Sequence, residues 1–234
     1  AHGALQRLFE SMQQSKPRQF PSRKAFLQYF SDELDRQRFQ LPAEQIAGLR
    51  QKGQYRLGQY YQQKLGTWNR RVVLEYTVRH AEVEGVPLTG TIDKLEFMPR
   101  QEVRIVDYKT GSHNTSKLKG PTKSNPHGGS FWRQLVFYKL MYDSFDQQGH
   151  RCLTGAIAYL DPDPSGQFPE EVFEYEVRDT EALKPILRDT YEKIMNHQFY
   201  EGCGEDSCTW CQFVRQHVRP DSFRDPLTEE LDDR

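Results

Sequence analysis

The sequence predicts an α/β fold in which a helical N-terminal part precedes a core of the order β-β-β-α-β-β-α. Apolar residues recur at helical spacing through residues 1–66. Apolar and polar residues then alternate in strand-like segments from residue 71 onward, and residues 131–145 return to a helical period. Both periods in one chain favour a sheet flanked by helices.

Three helices are predicted in the N-terminal part. The first covers residues 2–14, ends before Lys16-Pro17, and has an apolar side formed by Ala4, Leu5, Leu8 and Phe9. The second begins at Ser22, a residue type that caps helix N-termini, and runs to about Arg38. The third runs from about Pro42 to Leu65.

The core begins with three predicted strands, which cover residues 71–83, 87–97 and 103–111. The second and third form a hairpin that turns near Pro99 to Gln101. A loop rich in Gly, Pro and Lys leads from Ser112 to Ser130, before the helix of residues 131–145. CLTGAIAYL and EEVFEYEV then form a strand pair, and a helix of residues 180–200 opens at Asp179 or Thr180.

Composition limits the class of protein. The 234 residues include 32 basic and 33 acidic side chains, which gives a formal net charge of -1, whereas a protein that coats DNA is usually more basic. Mean hydropathy is -0.85, and no apolar run reaches the roughly 18 residues of a membrane helix. The first residues have no signal-peptide features and read as the middle of a helix, so we expect a piece of a longer protein.

Two carboxylates and a lysine are the strongest chemical signal. Asp93 lies in GTIDKLEF, and Asp107 and Lys109 lie in RIVDYKTG. Strand side chains alternate, so Asp107 and Lys109 share a face, and the predicted hairpin brings Asp93 beside them. Carboxylates that are buried close together fit Mg²⁺, and a lysine nearby fits hydrolysis of a phosphodiester. A single Asp-x-Lys on a strand is usually a solvated face, and the second aspartate argues against that interpretation.

These segments resemble the RecB/AddB-type nucleases of the PD-(D/E)XK superfamily. GTIDKLEF followed by VRIVDYKTG is similar to the family's Gly-x-hydrophobic-Asp strand and Asp-Tyr-Lys-Thr-Gly strand. RQLVFYKLMY resembles its Gln-x-x-x-Tyr helix at Gln134 and Tyr138. AHGALQRLFE resembles its upstream helix, and Glu75 matches an acidic position often found before the aspartate strand.

The resemblance implies a fold and a set of roles. The fold is restriction-endonuclease-like, with a central mixed sheet between helices. Mg²⁺ or Mn²⁺ would be bound by His2, Asp93, Asp107 and the backbone carbonyl of Tyr108. Asp93, Asp107 and Lys109 would be catalytic, together with Gln134 and Tyr138, which would position DNA or neighbouring groups.

The resemblance also implies a biological setting. Such domains often end a UvrD-like helicase, and this chain has no GxxxxGK[ST] phosphate loop, so the motor would lie upstream in the same polypeptide. We expect a bacterial, cytoplasmic DNA repair or recombination nuclease, an exonuclease rather than an endonuclease, acting on single strands or ends, with a second helicase-nuclease subunit as a further partner. The alternatives are an inactive nuclease-like module that binds DNA or protein, and a zinc-stabilised interaction domain.

Cysteines near the C-terminal end form a second candidate metal site. Cys203, Cys208, Cys211 and His217 have the spacing C-x4-C-x2-C-x5-H, which permits a Cys₃His zinc site. Many relatives carry an iron–sulfur cluster, but His217 stands where they have a cysteine. The third interpretation has no metal and uses Cys208, Trp210 and Phe213 for packing. Cys152, in a strand-like segment, reads as a small buried apolar residue.

The Ser112 to Ser130 loop and the start of the following helix form a candidate DNA contact. The DNA-binding candidates are Lys117, Lys119, Lys123, Trp132 and Arg133, with Trp132 either stacked on a base or turned into the core.

The sequence predicts one nuclease domain over residues 1–218, divided into a helical part (1–66), a catalytic core (71–200) and a cysteine segment (201–218). A loose charged tail follows at 219–234.

Overall fold

The chain forms two compact units in a computed structural model, Ala1–Ile186 and Leu187–Arg234. The structure describes residues 1–39, 42–145, 149–198, 203 and 205–217, without the side chains of 215 and 217. The predicted charged tail at 219–234 lies outside the described residues. The predicted α/β class and element order are confirmed.

The predicted helices are present with small shifts at their ends. They are α1 (His2–Gln14), α2 (Arg23–Arg36), α3 (Ala43–Lys64), α4 (Ser130–Phe145) and α5 (Val177–Met195). A further helix that the sequence did not predict, α6 (Thr209–His217), lies in the cysteine segment. The expected cap of α2 is confirmed, because the Ser22 side chain accepts a hydrogen bond from the N–H of Ala25. A 3₁₀ helix, Thr115–Leu118, lies within the segment predicted to be loop.

The start of α5 differs from the prediction. The helix begins at Val177, so Asp179 and Thr180 lie in its first turn rather than before it. Asp179 accepts a hydrogen bond from the N–H of Glu176 at 2.8 Å, and an acidic side chain in the first turn is favoured by the helix dipole. Sequence reasoning identified the residue that caps this helix and placed the helix start three residues too late.

A five-stranded mixed sheet forms the centre of the first unit. Its strands are β1 (Val72–Val83), β2 (Val86–Met98), β3 (Glu102–Lys109), β4 (Arg151–Tyr159) and β5 (Glu170–Glu174), in the order β1-β2-β3-β4-β5. Only β3 and β4 pair in parallel. The predicted turn between β2 and β3 is a 3₁₀ helix, Pro99–Gln101. Arg100 and Gln101 have φ of 59° and 58°, which reverses the chain within three residues.

The sheet has helices on both faces. Apolar residues of α1, α2 and α3 pack with Val106 and Tyr108 of β3 and with Ala156 and Ala158 of β4. On the other face, a Cβ at Gly155 would lie 3.2 Å from Leu135 of α4. The predicted apolar side of α1 is confirmed, since Ala4, Leu5, Leu8 and Phe9 are buried. In the described part of the chain, no helix is both long and apolar enough to cross a membrane.

Candidate active site

The β2–β3 hairpin brings Asp93 to the end of the catalytic strand. Paired residues of the two strands run from Met98 and Glu102 to Lys94 and Val106. Beyond that point, Asp93 Oδ2 accepts the N–H of Tyr108 at 2.9 Å, so the carboxylate takes the place of the next strand-to-strand hydrogen bond. This contact fixes Asp93 beside the backbone of Tyr108.

His2 reaches the same place from the start of α1. Its Nε2 lies 2.9 Å from the carbonyl oxygen of Tyr108 and 3.5 Å from Asp93 Oδ2. The side chain of His2 is 45% exposed, so this group of ligand atoms is open to solvent. The structure therefore brings together three of the four predicted metal ligands: His2, Asp93 and the carbonyl of Tyr108.

Asp107 and Lys109 lie on one face of β3, as the alternation predicts. Lys109 Nζ is 2.6 Å from Asp107 Oδ2, and the Asp107 side chain is 2% exposed. Apart from this ion pair, Oδ2 has no hydrogen-bond partner among the described residues. Burial raises the pKa of Asp107 to about 6, and Asp93 adds to the rise, while Lys109 opposes it.

Glu75 of β1 contributes a third carboxylate, next to that of Asp93. Its neighbours Leu74 and Tyr76 pair with Lys94 and Ile92, so Glu75 lies opposite Asp93. Its backbone has a φ of 47°, in the left-handed region that costs energy for residues other than glycine. Burial raises the pKa of Glu75, with a further contribution from the charge of Asp93. The acidic position suggested by the resemblance thus adjoins the site.

Gln134 and Tyr138 of α4 are joined to each other by a hydrogen bond. Gln134 Nε2 donates a hydrogen bond to the Tyr138 hydroxyl at 3.0 Å, one turn further along α4. Burial raises the pKa of Tyr138, and the charges of Asp107 and Asp93 contribute to that rise.

Trp132 and Arg133 have structural contacts that differ from the predicted ones. Trp132 is completely buried, and its indole Nε1 donates to Asp179 Oδ1 at 3.0 Å. A completely buried indole cannot stack on a base, so the prediction that Trp132 stacks on DNA is wrong. The alternative prediction, that its side chain is turned into the core, is confirmed. The guanidinium of Arg133 donates to the carbonyls of His127 and Gly128, so it holds the end of the loop.

The three loop lysines have different surroundings. Lys117 Nζ lies 4.9 Å from the centroid of the Phe131 ring. Lys119 lines a surface groove whose acidic members are Glu174, Glu176 and Asp179. Lys123 is exposed. A shared aromatic neighbour therefore connects Lys117 with Lys109, because Lys109 Nζ lies over the same Phe131 ring at 5.4 Å.

Two residues near the site were missed by sequence reasoning. Asp161, after β4, forms an ion pair with Arg56 of α3 and accepts the N–H of Gly111 at 2.6 Å. It thus ties the segment after Lys109 to the helical layer. The ring of Phe131 contacts the ammonium groups of both Lys109 and Lys117. Neither residue has a local sequence signal, since an aspartate after a strand and a phenylalanine at a helix start are common.

The donor set fits a hard divalent cation. Two carboxylates, a backbone carbonyl and an imidazole are oxygen and nitrogen ligands of the type that Mg²⁺ or Mn²⁺ accepts. The buried Oδ2 of Asp107 has only the ammonium group of Lys109 as a partner among the described residues, so its remaining lone pair is available to a cation. In the structure that carboxylate is turned to Lys109.

The second unit contains a cluster of thiols. The sulfur atoms of Cys203, Cys208 and Cys211 all lie within 4.8 Å of one another, with 3.5 Å between those of Cys203 and Cys211. Hydrogen bonds from Cys211 hold the pKa of the Cys208 thiol below its usual value. The side chain of His217 lies outside the described residues. Trp210 is 79% exposed and therefore does not pack in the way that the metal-free interpretation expects.

A family model decides the identity. The model of the PD-(D/E)XK nuclease superfamily matches residues 1–216, and thus both the helical part and the sheet. The chain belongs to the PD-(D/E)XK nuclease superfamily. Its five-stranded mixed sheet between helices, with helices at the N-terminal end, is the predicted restriction-endonuclease-like arrangement, and that prediction is confirmed.

Other comparisons add little. A search of curated proteins found no match. Among solved structures, the crystal structure of SSO0001 is 14% identical, with 94% of this chain and 97% of that chain covered and a TM-score of 0.40. At that TM-score the likeness carries no argument. The membership of the PD-(D/E)XK superfamily rests on the family model.

Proposed function

We propose that this chain is a Mg²⁺-dependent deoxyribonuclease that hydrolyses phosphodiester bonds. One observation carries the proposal. The pair of Asp107 and Lys109 at the end of β3 lies next to Asp93, the Tyr108 carbonyl and His2. Superfamily membership supports nuclease chemistry in general, and Mn²⁺ is a second metal that this donor set accepts.

Each residue has a chemical role in the proposal. His2, Asp93, Asp107 and the Tyr108 carbonyl would hold a divalent cation, which supplies charge neutralisation on the phosphate and makes the attacking water more acidic. Lys109, whose side chain is 23% exposed, orients that water or stabilises charge on the phosphate through its ammonium group. Gln134 and Tyr138, joined by their hydrogen bond, orient DNA or the carboxylates beside them.

The wider setting belongs to the same proposal. We place the domain in a helicase-nuclease of DNA repair or recombination in the bacterial cytoplasm, next to a UvrD-like motor and with a second helicase-nuclease subunit as a further partner. An exonuclease that acts on single strands or ends fits the product of such a motor. The support is the RecB/AddB-like form of the motifs at Asp93, Asp107 and Lys109.

The test is a cleavage assay on the purified chain. Labelled single- and double-stranded DNA is incubated with Mg²⁺, Mn²⁺ or EDTA, beside an Asp107→Ala control. Cleavage that requires the metal and disappears in the control is the expected result. DNA that is bound but not cleaved under every condition would instead favour the inactive binding module.

The thiol cluster is proposed to hold a metal ion, with zinc as the expected occupant. Three sulfurs within 4.8 Å of one another fit a zinc site, in which a fourth ligand completes a tetrahedron. Metal analysis of protein purified without chelator should find one zinc per chain, reduced in a Cys208→Ser, Cys211→Ser double variant. Iron with sulfide would assign the site to an iron–sulfur cluster, and a protein free of metal would refute a metal site here.

A further inference from the structure

Two lysine ammonium groups share one aromatic ring at the candidate site. Lys109 Nζ lies 5.4 Å from the centroid of Phe131, and Lys117 Nζ lies 4.9 Å from it. A cation over a ring gains on the order of 0.5–1 kcal/mol at an exposed site. The ring of Phe131 is itself 6.4 Å from that of Tyr159, which is buried. The Phe131 ring, packed edge-to-face near Tyr159, thus lies beside two positive charges.

The backbone around Lys117 is held by its neighbours. Lys117 lies in the 3₁₀ helix Thr115–Leu118, capped by Asn114, whose side chain accepts the N–H of Ser116. The N–H of Asn114 donates to the Tyr159 hydroxyl at 3.2 Å. A Cβ at Gly129 would lie 2.1 Å from the carbonyl oxygen of Lys117, so only glycine fits there. This packing at the start of α4 fixes the backbone position from which the exposed Lys117 side chain reaches the ring.

The charges on the ring are not balanced. Lys109 is paired with Asp107, whereas Lys117 has no ion-pair partner among the residues that the structure describes. The two ammonium groups beside the Phe131 ring repel each other, and an anion between or beside them would offset that repulsion. The same site is where the proposed reaction places a phosphate diester, which carries one negative charge.

We propose that Lys117 is a second cationic residue of the reaction centre, which contacts the non-bridging oxygens of the phosphate that is cleaved. The inference rests on the proposed nuclease function and deepens it. In the hydrolysis, the water oxygen forms a new P–O bond and releases a proton, while the bond from phosphorus to one deoxyribose oxygen breaks with its electron pair and that oxygen gains a proton. Lys117 stabilises the negative charge that the phosphate oxygens carry while these bonds change. Lys123 would contact the DNA backbone away from that phosphate.

The test compares Lys117→Gln with Lys123→Gln, and Lys52→Gln serves as a control on the exposed surface of α3. Single-turnover cleavage and DNA affinity in Ca²⁺ are measured at several salt concentrations. Lys117→Gln should lower the cleavage rate constant on the order of 100-fold, with a smaller loss of affinity, and Lys117→Arg should recover part of it. Lys123→Gln should lower affinity and its salt dependence, and reduce the cleavage rate constant far less than Lys117→Gln does.

Phe131→Leu is a second variant, which removes the ring shared by Lys117 and Lys109 and keeps an apolar side chain. It should slow cleavage, as Lys117→Gln does. An unchanged melting temperature in the Lys117 variants would show that their fold is intact. An unchanged rate constant in Lys117→Gln, or an equal effect in Lys123→Gln, would overturn the inference while leaving the nuclease proposal intact. A wild-type chain without metal-dependent cleavage would overturn both.

Discussion

Lys109→Ala is expected to abolish DNA cleavage while the fold and the binding of DNA persist. The Lys109 side chain is 23% exposed and lies at the last residue of β3, so its removal leaves no core cavity. Removal of one charge-stabilising group from a reaction centre costs on the order of 100- to 1,000-fold in rate. Single-turnover cleavage with Mg²⁺ and a thermal melt of the same preparation would measure both effects.

Lys109→Arg separates the two roles that the ammonium group could have. Arginine keeps the positive charge, but in a protein it does not release a proton. Substantial cleavage by Lys109→Arg would indicate electrostatic stabilisation, and none would indicate proton transfer or a strict geometric demand. Retention of the wild-type rate in Lys109→Ala would show that the reaction centre lies elsewhere.

Asp107→Asn is expected to lose cleavage and, in metal-free buffer, to unfold at a higher temperature than the wild-type chain. Burial disfavours the charged carboxylate and raises the pKa of Asp107 in the folded chain to about 6, above the value of about 3.9 for an exposed aspartate. Above pH 6 the Asp107 carboxyl is therefore ionised in the folded chain, where its charge is less favourable than in the unfolded chain. A difference of about 2 pKa units corresponds to about 3 kcal/mol.

The pH dependence gives this prediction its sign. Between pH 4 and pH 6 the folded chain binds more protons at Asp107 than the unfolded chain, so stability falls as pH rises through that range. The advantage of Asp107→Asn should thus be largest at pH 7.5 and disappear near pH 4. Asp163→Asn is the matched control, because hydrogen bonds from Ser165 and Gln167 lower the pKa of this exposed carboxyl. A lower melting temperature for Asp107→Asn with EDTA at pH 7.5 would contradict the argument.

Local patterns were sufficient for the central part of the site. Strand alternation placed Asp107 and Lys109 on one face, and a tight turn at Pro99 to Gln101 placed Asp93 beside them. Both inferences concern residues that are close in sequence, where the geometry of one hairpin decides the outcome. The α/β class followed from the same periodicities.

His2 and Trp132 show where local patterns were insufficient. His2 joins the site across 106 residues, and only the resemblance to a family pointed to it. Trp132 adjoins a basic loop, but its side chain is buried and its indole donates to Asp179, 47 residues later. The support that Phe131 gives to Lys109 and Lys117 likewise depends on how a helix packs against a loop, which periodicity does not reveal.

The parallel pairing of β3 with β4 has a consequence for how the protein folds. The β2–β3 hairpin joins residues that are close in sequence, such as Asp93 and Tyr108, 15 residues apart, and can close within microseconds. The β3–β4 pair brings Asp107 beside Ile157, and the His2 contact closes a loop of 106 residues, so both carry a larger entropic cost before they form. We therefore expect the carboxylates to meet early during refolding, and catalytic competence to appear last, when α1 docks.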